Sequence, residues 1–244
     1  MTQAGDRVAA YRAARARVLD RIADASSRAG RDPASVTLLA VSKTVHAGAL
    51  RDAVAAGLDL LGENRVQEAI AKMPDVPGAR WQLVGPLQGN KARKAMELFE
   101  SIQSVDSIPL AERLHRLSGE LRAGERYPIL VQVNVDDDPS KAGFGPAALE
   151  EAVDRLGELG DLEIRGLMTI GRLVDDPEAA RPTFRRLRLL SEAVRAAGAP
   201  VGPELSMGMT DDFEVAIEEG ATIVRVGRAL FGERHDHQHE PGHC

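Results

Sequence analysis

Between Asp6 and about Ala29, the apolar residues Val8, Tyr11, Ala14, Val18, Ile22 and Ala25 return at helical spacing among many arginines and aspartates. That period predicts an amphipathic helix ahead of everything else. The pattern breaks at Gly30-Arg31-Asp32-Pro33, and from there short aliphatic runs alternate with stretches of helical period. The runs predict strands at Thr37–Ser42, Leu58–Gly62, Trp81–Gly85, Ser101–Val105, Ile129–Val135, Glu163–Thr169, Glu204–Met207 and Thr222–Val226. Between them the pattern predicts helices at His46–Ala56, Val66–Lys72, Asn90–Phe99, Pro109–Arg122, Pro146–Leu159, Pro177–Ala197 and Asp211–Glu219. Such alternation implies parallel strands joined by crossover helices. The reading favours a single α/β domain, a (β/α)8 TIM-type barrel preceded by an N-terminal helix, over a doubly wound open sheet.

No repeat, Gly/Ser linker or compositional step divides the chain, so residues 1–234 are expected to form the barrel. The last ten residues, HDHQHEPGHC, are expected to be a disordered His-rich tail. His235, His237, His239, His243 and Cys244 are all potential metal ligands, but the expectation is a tail without a metal site. A chain of 244 residues that is 43% hydrophobic can bury one sizeable core. Its 31 basic and 37 acidic residues leave a net charge of −6 with no basic block, which argues against nucleic acid as a partner. The only cysteine is the final residue, so no internal disulfide can form. With no apolar signal core and no long apolar span, the sequence predicts a cytoplasmic protein without a membrane segment.

Barrels keep their chemistry at the carboxyl ends of the strands, so the residues standing there matter most. The first run, TLLAVSK, ends in Lys43, which must snorkel, pair, or take a covalent role. The second ends in Gly62-Glu63-Asn64-Arg65, where Asn64 either offers its amide to a ligand or N-caps the next helix. The loop from Gly85 to Lys91 permits close backbone approach, and Asn134 and Met168 add polar and soft groups to the mouth. Phosphate sites in barrels commonly use the loops after strands seven and eight. Here those loops are Ser206-Met207-Gly208-Met209-Thr210 and Val226-Gly227-Arg228, the first leading into a helix begun by Asp211 and Asp212. A reactive lysine facing an anion cradle suits a phosphorylated carbonyl compound, and pyridoxal 5′-phosphate is the obvious one.

The stretches LLAVSKTV, LGENRVQE, WQLVGPLQGNKAR, VQVNV with KAGF, GLMTI and ELSMGMTDDFEVAIEEGATIVRVGRALFG carry a specific likeness from Leu38 to Gly232. The chain resembles the pyridoxal phosphate homeostasis proteins, which share the fold of the alanine racemase barrel domain. By that resemblance Lys43 is the Schiff-base lysine, Ser206 and the amides near Gly227 and Arg228 hold the phosphate, and Arg225 faces the pyridine nitrogen. Asn64 then lies near the ring, and the expected cofactor-binding set is Lys43, Asn64, Met168, Ser206, Met207, Arg225, Gly227 and Arg228. The sequence departs from many relatives at Pro86, where they carry His, and at Arg228, where they carry Thr. What the resemblance implies is a monomeric carrier of pyridoxal 5′-phosphate that supplies apo-forms of enzymes using it and has no catalysis of its own. An alanine-racemase-like enzyme is the alternative. Tyr11 and Tyr127, the two tyrosines, are expected away from the strand ends where a racemase base is needed, and no second β-rich domain is expected to supply one.

Overall fold

In the computed structural model, which describes residues 3–122, 124–171 and 174–232, eight parallel strands close into a barrel in sequence order. The expected tail, 235–244, lies outside the described residues. The strands are β1 (Thr37–Val41), β2 (Leu60–Glu63), β3 (Arg80–Leu83), β4 (Ser101–Val105), β5 (Tyr127–Gln132), β6 (Leu162–Met168), β7 (Glu204–Ser206) and β8 (Ile223–Val226). The leading helix α1 (Gln3–Arg28) is followed by α2 (Ala47–Ala55), α3 (Val66–Lys72), α4 (Ala92–Leu98) and α5 (Ile108–Leu121). The outer layer continues with α6 (Leu149–Gly157), α7 (Arg181–Ala196), α8 (Phe213–Glu218) and a single turn, α9 (Arg228–Phe231), which the sequence reading lacks.

Two apolar layers result. The larger lies between strands and helices, while Leu39, Leu60, Val84, Leu130, Met168 and Ile223 pack together inside the barrel. Side chains alternate along each strand, so the registers Leu39↔Arg225, Gly62↔Gln82, Gln82↔Ser101 and Met168↔Ser206 also turn Gln82, Gln103, Ser206 and Arg225 inward.

Helix α1 lies over the place where the ring closes. Ala14, Val18, Ile22 and Ala25 are buried, Arg21 makes a two-bond pair with Glu214 at 3.1 and 3.0 Å, and its guanidinium stands 4.4 Å over the Phe213 ring. Tyr11 meets Phe231 of α9 edge to face at 5.8 Å. No helix among the described residues is long and apolar enough to cross a membrane.

Boundaries shift where backbone bonding decides against pattern. The fifth strand starts at Tyr127 and stops at Gln132, because Asn134 N and Gln132 O turn to Phe144, leaving Val133 in an isolated bridge. The fourth helix begins at Ala92 after a 3-10 turn at Gly89–Lys91.

Glu204, half-buried at the start of β7, has its carboxyl held above the usual range mainly by burial, with Arg165 pulling the other way. A proton therefore binds the folded state more tightly than the unfolded chain, so this group favours folding at low pH and costs stability once ionised. Glu204→Gln is expected to raise Tm at neutral pH by about 2 °C, the shift that a change near 1 kcal/mol produces in a domain of this size. Below about pH 4 the gain should vanish. A thermal melt series with equal gains at both pH values would rule out this assignment.

Candidate functional site

Lys43 stands two residues beyond the end of β1, half-buried, next in the inward alternation after Leu39 and Val41. The residue after it, Thr44, adopts a positive φ of 67°, unusual for a β-branched residue. Strand pairing brings β8 alongside, and a Cβ added to Gly227 would lie 3.3 Å from the carbonyl of Val41. Glycine thus lets the β8 loop press against the strand that delivers the lysine.

Arg225 is fully buried on the inner face of β8. Its Nη1 donates to Ser206 Oγ at 2.7 Å and its Nη2 to the carbonyl of Thr169 at 2.7 Å. Burial pushes its guanidinium down to about 10, opposed by the charge of Asp212, so it keeps its proton at neutral pH. Ser206 in turn donates to Gln103 Oε1 at 2.6 Å, Gln103 Nε2 to Gln82 Oε1 at 2.6 Å, and Gln82 Nε2 to Glu100 Oε1 at 2.9 Å. Every donor in this line points away from the cation and toward the carboxylate, so the dipoles reinforce one another through the barrel interior.

This geometry gives Ser206 a role beside the one expected. Its hydroxyl proton goes to Gln103 and a lone pair to Arg225, so it supports Arg225 at the carboxyl end of β7. The hydroxyl at the rim is Thr210, whose Oγ1 accepts from Gly227 N at 3.3 Å. Asp212 Oδ1 holds Met209 N at 2.6 Å and so shapes the same loop; burial raises the Asp212 carboxyl, while Met209 N and Arg225 oppose that.

Met207 faces away from the barrel interior. It follows inward-facing Ser206, so its side chain points into the helix-facing core, and its N–H goes to Ile223 O at 3.1 Å. Met168 belongs to the inner apolar layer and forms floor rather than rim. Arg228 places its guanidinium on Asp211, so the charge expected for a phosphate is engaged by a neighbouring carboxylate. The helix it opens, α9, still presents first-turn amides at Arg228 and Ala229.

Asn64 does not cap a helix, since the N-cap of α3 is Arg65. Its Oδ1 is instead buried without a hydrogen-bond partner, and a Cβ on Gly85 would meet its carbonyl at 2.2 Å. With Arg65, Gln67, Pro86, Leu87 and Lys91 it lines a cleft of about 430 Å³. Asn134 is structural, its amide spent on Asp138 and Lys141.

A family model described as alanine racemase, N-terminal domain, matches residues 15–235. A pyridoxal phosphate homeostasis protein from Pseudomonas aeruginosa is 44% identical over 225 residues, covering 90% of this chain and 94% of that protein. The chain belongs to the pyridoxal phosphate homeostasis protein family. PipY of Synechococcus elongatus, solved with pyridoxal phosphate bound, superposes with a TM-score of 0.75 at 44% identity, covering 86% of this chain and 100% of that one. The alanine racemase of Corynebacterium glutamicum shares the fold alone, with a TM-score of 0.64 at 19% identity over 88% of this chain and 62% of the racemase.

In this homeostasis-family chain, the sequence reading passed over Gln82 and Gln103, and it named Thr210 and Asp212 in the strand-seven loop without placing either in the expected cofactor-binding set. The first two carried a signal, since each is a polar residue at an inward position of a strand. It also passed over a buried cluster on the outer side of β2. Glu63 is fully buried, with Oε1 accepting from Lys72 at 2.6 Å and from Ser42 at 2.8 Å, while Oε2 has no partner. Burial raises its carboxyl, and Lys72 is the largest opposing influence.

Proposed function

We propose that this protein binds pyridoxal 5′-phosphate at the carboxyl end of its barrel through Lys43 and serves the cell's supply of that cofactor without turning over amino acids. The residues present fit the group. A lysine stands beside a glycine-lined loop with amides and the Thr210 hydroxyl for the phosphate, Arg225 is a fixed donor for a ring nitrogen, and Asn64 Oδ1 is a buried acceptor awaiting a donor. The names of the relatives and the ligand of PipY support the same reading. When bound, pyridoxal phosphate offers an aldehyde to an amine and a ring that can withdraw electrons from the carbon attached to it.

Arg225 carries the argument against turnover. A guanidinium has no acceptor, so a ring nitrogen facing it must supply the lone pair and stay unprotonated, which weakens electron withdrawal. Asp212 and the hydrogen bonds to Ser206 and Thr169 keep that cation charged and oriented. Neither tyrosine can act as base at the mouth. Tyr127 opens β5 at the amino end, is fully buried and donates to Phe99 O at 2.8 Å, and Tyr11 lies on α1 against Phe231. The proposed carrier works in the cytoplasm as a monomer and hands the cofactor to apo-enzymes.

The test is a screen of common L- and D-amino acids with loaded protein, run beside an assay of cofactor transfer to an apo-enzyme. General acid–base help contributes about 10²–10⁴-fold to rate, so turnover should stay near that of free cofactor while transfer proceeds. Multiple turnover on any amino acid, dependent on Lys43, would move the chain among the enzymes.

A further inference from the structure

The backbone around Lys43 is gripped on both sides by groups that do not reach the cofactor site. Lys72, at the end of α3, has side-chain exposure of 12% and sends Nζ to three acceptors: Glu63 Oε1 at 2.6 Å, Ser42 O at 3.0 Å and Glu68 Oε2 at 3.3 Å. Those three bonds use all the protons of an ammonium. Glu68 Oε2 also accepts from Thr44 N at 3.2 Å. The carbonyl before Lys43 and the amide after it are therefore tied to the same ion-paired cluster.

Between those ties sits the left-handed turn at Thr44, and a threonine holds such a φ only where its surroundings enforce it. The Thr44 hydroxyl donates to the Lys43 carbonyl at 2.5 Å, which completes the local grip. Register supplies the other constraint, since Ser42 N donates to Gly62 O at 2.9 Å and keeps the chain on the β1–β2 ladder up to this point. Glu63 faces outward, because Gly62 and Asn64 take the inward positions of the second strand. The cluster thus lies behind the strand and leaves the mouth open.

We propose that Lys72, with Glu68 and Glu63, is a positioning device for Lys43: it holds the Ser42–Thr44 backbone so that the Lys43 amine enters the mouth in a fixed direction. This rests on the reading of Lys43 as the attachment point. Attachment is a condensation in which Lys43 Nζ adds to an aldehyde carbon, C=N replaces C=O, and one water leaves. Its rate and equilibrium depend on the approach of Nζ, and a misplacement of about 1 Å costs on the order of a hundredfold in such steps. Affinity for the ring and phosphate does not depend on that approach.

Two ligands separate the effects. Pyridoxal 5′-phosphate reports pocket plus attachment, whereas pyridoxine 5′-phosphate, with an alcohol in place of the aldehyde, reports the pocket alone. The full-length chain, stripped of cofactor, is titrated with each as wild type, Lys72→Met and Glu68→Ala. Glu68→Ala removes the Thr44 tie while keeping the Lys72–Glu63 pair, so it serves where loss of Lys72 prevents folding. We expect wild type to bind both ligands. The variants should lose about tenfold and about threefold, respectively, in affinity for the aldehyde, well under the hundredfold scale of a full misplacement. Their affinity for the alcohol should stay within about twofold, and borohydride trapping on Lys43 should slow in parallel. Equal losses for both ligands would make the cluster merely structural, and no loss for either would remove its role; both outcomes overturn the inference. A wild type that takes up neither ligand would instead overturn the functional reading itself.

Discussion

Lys43→Ala is expected to abolish covalent capture of pyridoxal 5′-phosphate, with loss of both the visible absorption band and the borohydride-fixed mass on this peptide. The other four lysines explain why no substitute should appear. Lys72 is saturated by three acceptors, Lys141 donates to the carbonyls of Ile170 and Gly171, and Lys94 pairs with Glu97 on α4. Only Lys91 lines the cleft that Asn64 shares, which makes Lys43→Ala/Lys91→Ala the proper control. Only Lys43 offers an amine at the end of a strand beside the Gly227 loop. If the single variant keeps an adduct of equal yield on any lysine, the assignment of Lys43 fails.

Arg225→Leu should cost the unloaded protein about 2–5 kcal/mol, because Ser206 Oγ and Thr169 O lose a charged donor and each buried orphan costs roughly 1–3 kcal/mol. Relief from burying a cation offsets part of that loss, which is why the lower end is included. Ser206→Ala alone removes the acceptor and strands Gln103 Oε1. Because the two side chains touch, the double variant should be less damaged than the sum of the singles, with a coupling of about 1–3 kcal/mol. Urea unfolding of the four proteins measures it, and strict additivity would show that the Arg225–Ser206 bond contributes nothing. The Asp212 carboxyl, deprived of the facing cation, should rise further.

The barrel was legible because its alternation of aliphatic runs and helical periods is long and repeated, and Lys43 stood out as a charge ending the run TLLAVS. Arg225 came from the family resemblance and not from the pattern, although a cation inside the apolar string TIVRV was a signal on offer. What the pattern did not show were matters of parity and distant pairing. Strand β7 has only three residues, too few for alternation to reveal that Ser206 faces the barrel and Met207 the helices. The capture of Arg228 by Asp211 joins residues 17 apart in different loops, and no local pattern encodes it. The same holds for the line from Ser206 to Gln103, which are separated by 103 residues and meet only across the closed ring. The left-handed turn at Thr44 had no sequence cue either, since a β-branched residue argues against it.

The candidate attachment point hangs from the first strand and the candidate anion loops follow the last two, so the site is split across strands far apart in sequence. Its halves meet only when β8 zips onto β1 along Thr37↔Ile223 through Ala40↔Val226, a contact between segments nearly two hundred residues apart in sequence. Closing so long a loop is slow and entropically costly, and ring closure comes late in any folding order that builds neighbouring strands first. A ligand that bridges both halves adds its binding energy to that seam alone. A ribosome-bound chain that has not yet emitted Ile223–Val226 therefore lacks the seam that the candidate site spans, and any ligand needing both halves can be held only after that strand is made.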